Sequence, residues 1–289
     1  MPGAAPALSQ VDPLEPRHAP WRARLALAFE HGQSRTTLAR REHQGPLVVQ
    51  KQLHPEGPEV CQCVVVHPPG GIAGGDAIEL DVAVGAGAHA QLTTPGAAKW
   101  YRAAGRRAAQ DVAIRVADGA VLEWLPQGTI VFDGADASST LRVELAPTAV
   151  WIGWDVVCLG RTASAERFTH GQWRQRIEIV RGHALVWSER AVLRGGSPLL
   201  ASPAGLNGAP VFGTFVAMAP ALPADLVSAC RALAPVEGDG AVTRLPHALV
   251  ARWRGHAMEA AHAYFAALWA VARPALTART AVPPRIWAT

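Results

Sequence analysis

The chain has 289 residues, 49% of them hydrophobic, and a formal net charge of +4, set by 25 Arg and two Lys (Lys51 and Lys99) against 23 acidic residues. That length and apolar content suffice for one large buried core, and no apolar run nears the roughly 20 residues of a membrane span. The charge is spread too evenly for a nucleic-acid binder, whose cations collect in a stripe with interleaved aromatics; Arg102 with Arg106 and Arg107 is too short a cluster to stand alone. Four cysteines in a chain of this size form no disulfide framework and read as reduced thiols. With no secretory leader pattern at the N-terminus, the expected location is the cytoplasm.

In chain order, residues 1–20 are rich in Pro and Ala without periodicity and read as a flexible tail. From Trp21 the pattern becomes strand-like, and residues 21–289 are expected to form a single domain. The apolar run Val60 to Val66 leads into His67-Pro68-Pro69-Gly70-Gly71-Ile72-Ala73-Gly74-Gly75-Asp76. Its glycines and prolines force an irregular loop whose main chain closely approaches itself or a partner. Strict alternation with one wet face follows in Glu79–Val84, Asp111–Val116, Leu141–Leu145 and Arg174–Ile179. Asp118-Gly119, Asp133-Gly134 and Arg181-Gly182 supply turn signals at the spacing of antiparallel or stacked-sheet proteins. The body, about 21–218, is therefore expected to be mainly β. Pro223-Ala224-Asp225 opens a short helix through about Leu233, and a longer helical pattern runs from about Leu249 to Arg273, with Pro274 as its stop. On the longer helix Met258, Ala261, Phe265, Leu268, Trp269 and Ala272 make one apolar stripe. It fits either packing onto the β body or a docking surface for another protein anchored by Phe265 and Trp269.

The glycine-rich loop is not a phosphate cradle. A P-loop needs Gly-Lys-Ser/Thr where this chain has Asp76, whose carboxylate repels phosphate, and the G-x-G-x-x-G dinucleotide pattern is absent. The ordinary alternative is a tight turn with Asp76 accepting from backbone amides. Cys61, Cys63 and His67 stand at i, i+2 and i+6, so a continuous strand would point all three to one face. Sulfur plus imidazole suits nickel, copper or zinc, although buried thiols also serve as small hydrophobes and only His54, if the chain folds back, offers a fourth ligand. Asp76, Glu123, Asp133, Glu166 and Glu189 lie at strand and turn junctions where carboxylates can converge, the arrangement of a glycoside hydrolase. The plainer reading is ion pairs, Glu166 with Arg167 and Glu189 with Arg190. Ser164 and Ser188 lack a nucleophile elbow, and no H-E-x-x-H helix is present.

Five blocks taken in order, HPPGGIAGGD at 67–76, TTPGAAKWYR at 93–102, EWLPQGTIVFDGA at 123–135, GRTASAERFTHG at 160–171 and PPRIWAT at 283–289, resemble the urease accessory protein UreD, also called UreH. The resemblance implies a mostly β, helical stack of sheets with two α-helices. It implies a non-catalytic maturation factor with no tightly bound cofactor, acting with UreF, the GTPase UreG and the urease apoprotein, and helping nickel in transit reach the empty active site. Within that implication, Asp76, Glu123, Glu166 and Glu189 are candidates to line a hydrated nickel path, because hard oxygen ligands release an ion readily. Gly70, Gly71, Gly74, Gly75, Lys99, Tyr101 and Arg102 are candidates for the central fold and its partner contacts. Two competing functions are a β-helical carbohydrate-active enzyme and a stand-alone nickel metallochaperone using Cys61, Cys63 and His67.

Overall fold

The computed structural model describes residues 19–288, so all but Ala19 and Pro20 of the expected tail lies outside the described residues. Among the described residues the chain winds as a two-sheet β-solenoid. Strands β1 (Arg22–Gly32) and β2 (Arg35–Gln44) form a hairpin, β3 (Val48–Leu53) and β4 (Val60–Val66) a second. The chain then alternates between sheets through β5 (Ala77–Val84), β6 (His89–Thr93), the short β7 (Ala98–Trp100), β8 (Ala108–Val116), β9 (Val121–Leu125), the short β10 (Thr129–Val131), β11 (Asp136–Leu145), β12 (Val150–Leu159) and β13 (Gln172–Arg181). Strand β14 (Ala184–Arg194), the single-turn α1 (Pro198–Ala201), β15 (Val211–Met218), α2 (Leu226–Arg231), β16 (Asp239–Leu245), β17 (Ala248–Gly255) and α3 (Met258–Thr277) complete it.

The first sheet runs β14-β13-β11-β8-β5-β1-β2 and the second β16-β17-β15-β12-β9-β6-β4-β3, with β7 and β10 as a short stack beside β12. The coils stack in parallel and in register. Leu25, Leu80, Val112, Leu141 and Ile177 stand opposite one another on five successive strands. Antiparallel hairpins close both ends of the first sheet.

One core fills the space between the sheets; a second lies between the outer face of the second sheet and helices α2 and α3. This layering explains the sequence pattern. The four alternating segments are β5, β8, β11 and β13 of the first sheet, which have one wet face. Strand β12 is buried nearly throughout because both of its faces are covered, and such a strand reads as a continuous apolar run.

The helical stripe packs inward. Phe265 and Trp269 are 0% and 1% exposed, with Phe265 against Trp154 and Phe215, so they are core residues and not docking anchors. The expected element at 249–273 also needs correction at both ends. Residues 248–255 are β17, whose Leu249, Ala251 and Trp253 alternate with Arg252 and Arg254 while pairing β15 and β16, which extends the β body past residue 218. Helix α3 continues through Pro274 to Thr277 and ends at Ala278 in the left-handed conformation, φ 56°. The N–H that Pro274 lacks would have bonded the carbonyl of Ala270, which lies on the exposed side of the helix, so water can satisfy it. The shorter helix spans Leu226–Arg231 within the expected 223–233.

Two charges at the Phe265 and Trp269 positions would be buried without partners, so the Phe265→Glu, Trp269→Glu variant is expected to lose its native far-UV circular dichroism. A native spectrum would show that the stripe does not hold the helix.

Candidate functional site

Stacking places equivalent positions of successive coils in rows, and one inward row is polar where the alternation calls for apolar residues. Gln110 on β8, Ser139 on β11 and Gln175 on β13 are in register, and all three line a cavity of about 380 Å³ between the two sheets. Ile78, Leu80, Val112, Leu141 and Trp124 supply apolar wall, while His67, Thr129 and Asp155 add further polar groups. Along the edge formed by the inter-strand turns the cavity meets the exposed Gly70, Pro95, Gly96 and Lys99. Both glycine-containing blocks of the sequence therefore serve one place.

The chemistry concentrates at Asp155. Its carboxylate accepts a hydrogen bond from Gln175 Nε2, and burial together with the neighbouring Glu189 carboxylate pushes its pKa up to about 7. Glu189 Oε1 accepts from the Thr214 hydroxyl at 3.2 Å, while its Oε2 is buried without a hydrogen-bond partner. Arg252 lies 3.7 Å from Oε2 and stacks over Trp187. The Asp155 carboxylate, with the Glu189 charge beside it, meets a row of amide and hydroxyl groups, a weak hard-ligand set suited to a small hydrated cation.

The other sequence candidates scatter. Among the described residues no three His, Cys, Asp or Glu side chains group as a metal site. Cys61 and Cys63 share the inward face of β4, both 0% exposed in the inter-sheet core. His67 lies one residue past the end of β4 and lines the cavity, where burial lowers its pKa and Asp76 opposes the shift. The thiols pack as small hydrophobes. Cys61→Ser with Cys63→Ser should leave nickel affinity within about twofold and cost about 1–3 kcal/mol for each buried hydroxyl left without a partner; calorimetric nickel titration and urea unfolding of the same sample test both.

Asp76 accepts from the N–H groups of Trp21 and Ala73, each at 2.8 Å, which is the turn role the sequence suggested. Gly70 and Gly75 take φ of 74° and 97°. Gly71 gives room to the Tyr101 ring, 2.3 Å from where a Cβ would stand, and Gly74 lies against the Arg106 carbonyl. Glu166 pairs with Arg161, not Arg167, at 2.6 Å and accepts from the Asp133 N–H. Glu189 faces Arg252, while Arg190 pairs with Glu178. The strand places Arg190 on the opposite face from Glu189, which is why chain neighbours do not pair.

Glu123 is fully buried on the second sheet's outer face, away from the cavity. It accepts from His89 Nε2 at 2.6 Å, Trp269 Nε1 at 2.6 Å and Arg273 Nε at 3.0 Å. Burial pushes its pKa up, but the His89 hydrogen bond, Arg273 and Trp269 outweigh it and hold the carboxyl below its usual range. Arg273, also 0% exposed, binds both oxygens of Glu56 at 2.7 and 3.0 Å and donates to the Thr280 carbonyl. The cluster fastens α3 and the segment after it to the sheet. Asp155, Gln175 and Arg273 are thus the residues sequence reasoning missed; a lone carboxylate inside the apolar run VWIGWDVVCL was the available signal for the first.

Residues 22–288 match the family model described as UreD urease accessory protein. The urease accessory protein UreD of Dechloromonas aromatica (strain RCB) is 49% identical over 280 residues, covering 95% of this chain and 97% of that protein. That of Azoarcus sp. (strain BH72) is 49% identical over 283 residues, covering 98% and 99%. The Nitrosococcus oceani protein is 47% identical over 287 residues, covering 99% and 95%.

Proposed function

Because the chain belongs to the UreD urease accessory protein family, we propose that it is a non-catalytic maturation scaffold through which nickel passes to apo-urease. It acts in the cytoplasm with UreF and UreG, and GTP hydrolysis is the work of UreG. The observation that carries this reading is the inter-sheet cavity, with its polar row and the Asp155 carboxylate, beside which the Glu189 charge lies. An ion in transit must be attracted and then released. Two carboxylates without thiolate or imidazole ligands beside them suit that requirement better than a closed tetrahedral site.

None of the four carboxylates suggested by sequence lines the cavity, and Glu189 alone acts on it, through its charge beside Asp155. Glu123 is locked by Arg273 and His89, and Asp76 and Glu166 brace turns. Among the described residues no helix is long and apolar enough to cross a membrane. Cells that make urease and its other accessory proteins but lack this chain should hold urease with little nickel and little activity. Undiminished nickel content and activity in such cells would sink the reading.

A further inference from the structure

We propose that the stacked turns along one edge of the solenoid form a docking surface for an acidic protein face, anchored by Lys99, Arg102 and Arg106. The turns at 70–76, 101–107, 132–135 and 168–171 are joined by backbone hydrogen bonds: Gly75 N–H to Arg107 O at 3.2 Å, Ala103 N–H to Gly134 O at 2.9 Å and Gly134 N–H to His170 O at 3.1 Å. They therefore present one continuous surface.

Every acidic group on that surface is already committed. Asp76 accepts from two backbone amides, and Asp133 from those of Thr169 and His170. Asp136 pairs with Arg107 and Arg174, and Glu166 with Arg161. No side-chain hydrogen bond or ion pair engages Lys99, Arg102 or Arg106 among the described residues. Their charge is uncompensated among the described residues.

The two arginines are also held in place. The Arg102 stem lies on Gly134, its Cγ 3.0 Å from where a Cβ would stand, and Arg106 Cδ lies 3.2 Å from the same point on Gly75. Next to Arg102 in the chain, Tyr101 is 38% exposed, set edge-on against Phe132 at 5.1 Å. Pre-positioned arginines around a half-exposed tyrosine are the composition of a protein interface, and their unpaired charge selects an acidic partner. A nucleic acid fits less well. The Phe132 face is covered by Arg161 at 4.7 Å, leaving no stacking platform for bases.

The inference names the chemistry of a partner and holds whether or not nickel crosses the cavity. The test is fluorescence anisotropy of a labelled peptide of ten glutamates, and of a ten-nucleotide oligouridine, against the full chain. The variant Lys99→Glu, Arg102→Glu, Arg106→Glu is compared with Lys51→Glu, Arg115→Glu, Arg285→Glu, which carries the same net charge elsewhere on the surface. The first should lose roughly tenfold or more of peptide affinity, the second far less, and both should keep native circular dichroism because the altered side chains are unpaired. Equal losses in the two variants, or oligouridine bound more tightly than the peptide and lost with the same substitutions, would overturn the proposal. Urease activation is not read in this experiment, so its failure leaves the maturation reading standing.

Discussion

Arg273→Met is expected to destabilise the protein by about 3–5 kcal/mol, the cost of leaving buried carboxylates without their cation. Glu56 and Glu123 are 6% and 0% exposed, and one guanidinium serves both. Arg273→Lys should recover little, because an ammonium cannot reproduce the fork that donates to Glu56, Glu123 and the Thr280 carbonyl together. Adding Glu56→Gln and Glu123→Leu to Arg273→Met should restore part of the loss by removing the stranded charges. Urea unfolding of the three variants tests this. A loss below about 1 kcal/mol for Arg273→Met, the range of a surface pair, would mean that the cluster does not hold α3 to the sheet.

The second large effect is on function. Asp155→Asn with Glu189→Gln keeps side-chain shape but removes the Asp155 charge on the cavity and the Glu189 charge beside it, and should lower the rate of urease activation on the order of tenfold or more. The same variant should change stability in a pH-dependent direction. Asp155 has its pKa raised to about 7, so between the ordinary carboxylate range and that value the folded chain holds a proton that the unfolded chain has released. The stability linked to this proton is present at low pH and is lost as pH rises through about 7. The variant lacks that loss, so its melting temperature relative to the parent should rise between pH 5 and pH 8. A cation binding the pair must displace the proton, and nickel affinity of the parent chain should therefore increase over the same interval. Unchanged activation alongside the altered pH profile would move the path elsewhere while leaving the carboxylate pair as described.

Period-two alternation found β5, β8, β11 and β13 because each keeps one face in water. It did not find β12, where helices cover the second face, and it mistook β17 for the start of a helix because Leu249, Val250 and Trp253 also fit a helical spacing. Glycine turns were legible for a local reason: the positive φ at Gly119, Gly134 and Gly182 is a property of single residues. The site was less legible because its geometry comes from stacking. Gln110, Ser139 and Gln175 meet only when coils are in register, and Glu123 finds Arg273 across 150 positions of sequence. Cys61, Cys63 and His67 shared a predicted face, but β4 ends at Val66 and the imidazole turns to the cavity mouth instead.

The central claim is that nickel reaches apo-urease by way of this chain and its inter-sheet cavity. The most direct measurement is the nickel bound to apo-urease after incubation with UreF, UreG, GTP, bicarbonate and nickel, in three samples: with this protein, without it, and with the Asp155→Asn, Glu189→Gln variant. The account predicts metal and activity in the first, little in the second and a strongly reduced rate in the third. Equal nickel in the first two would contradict it.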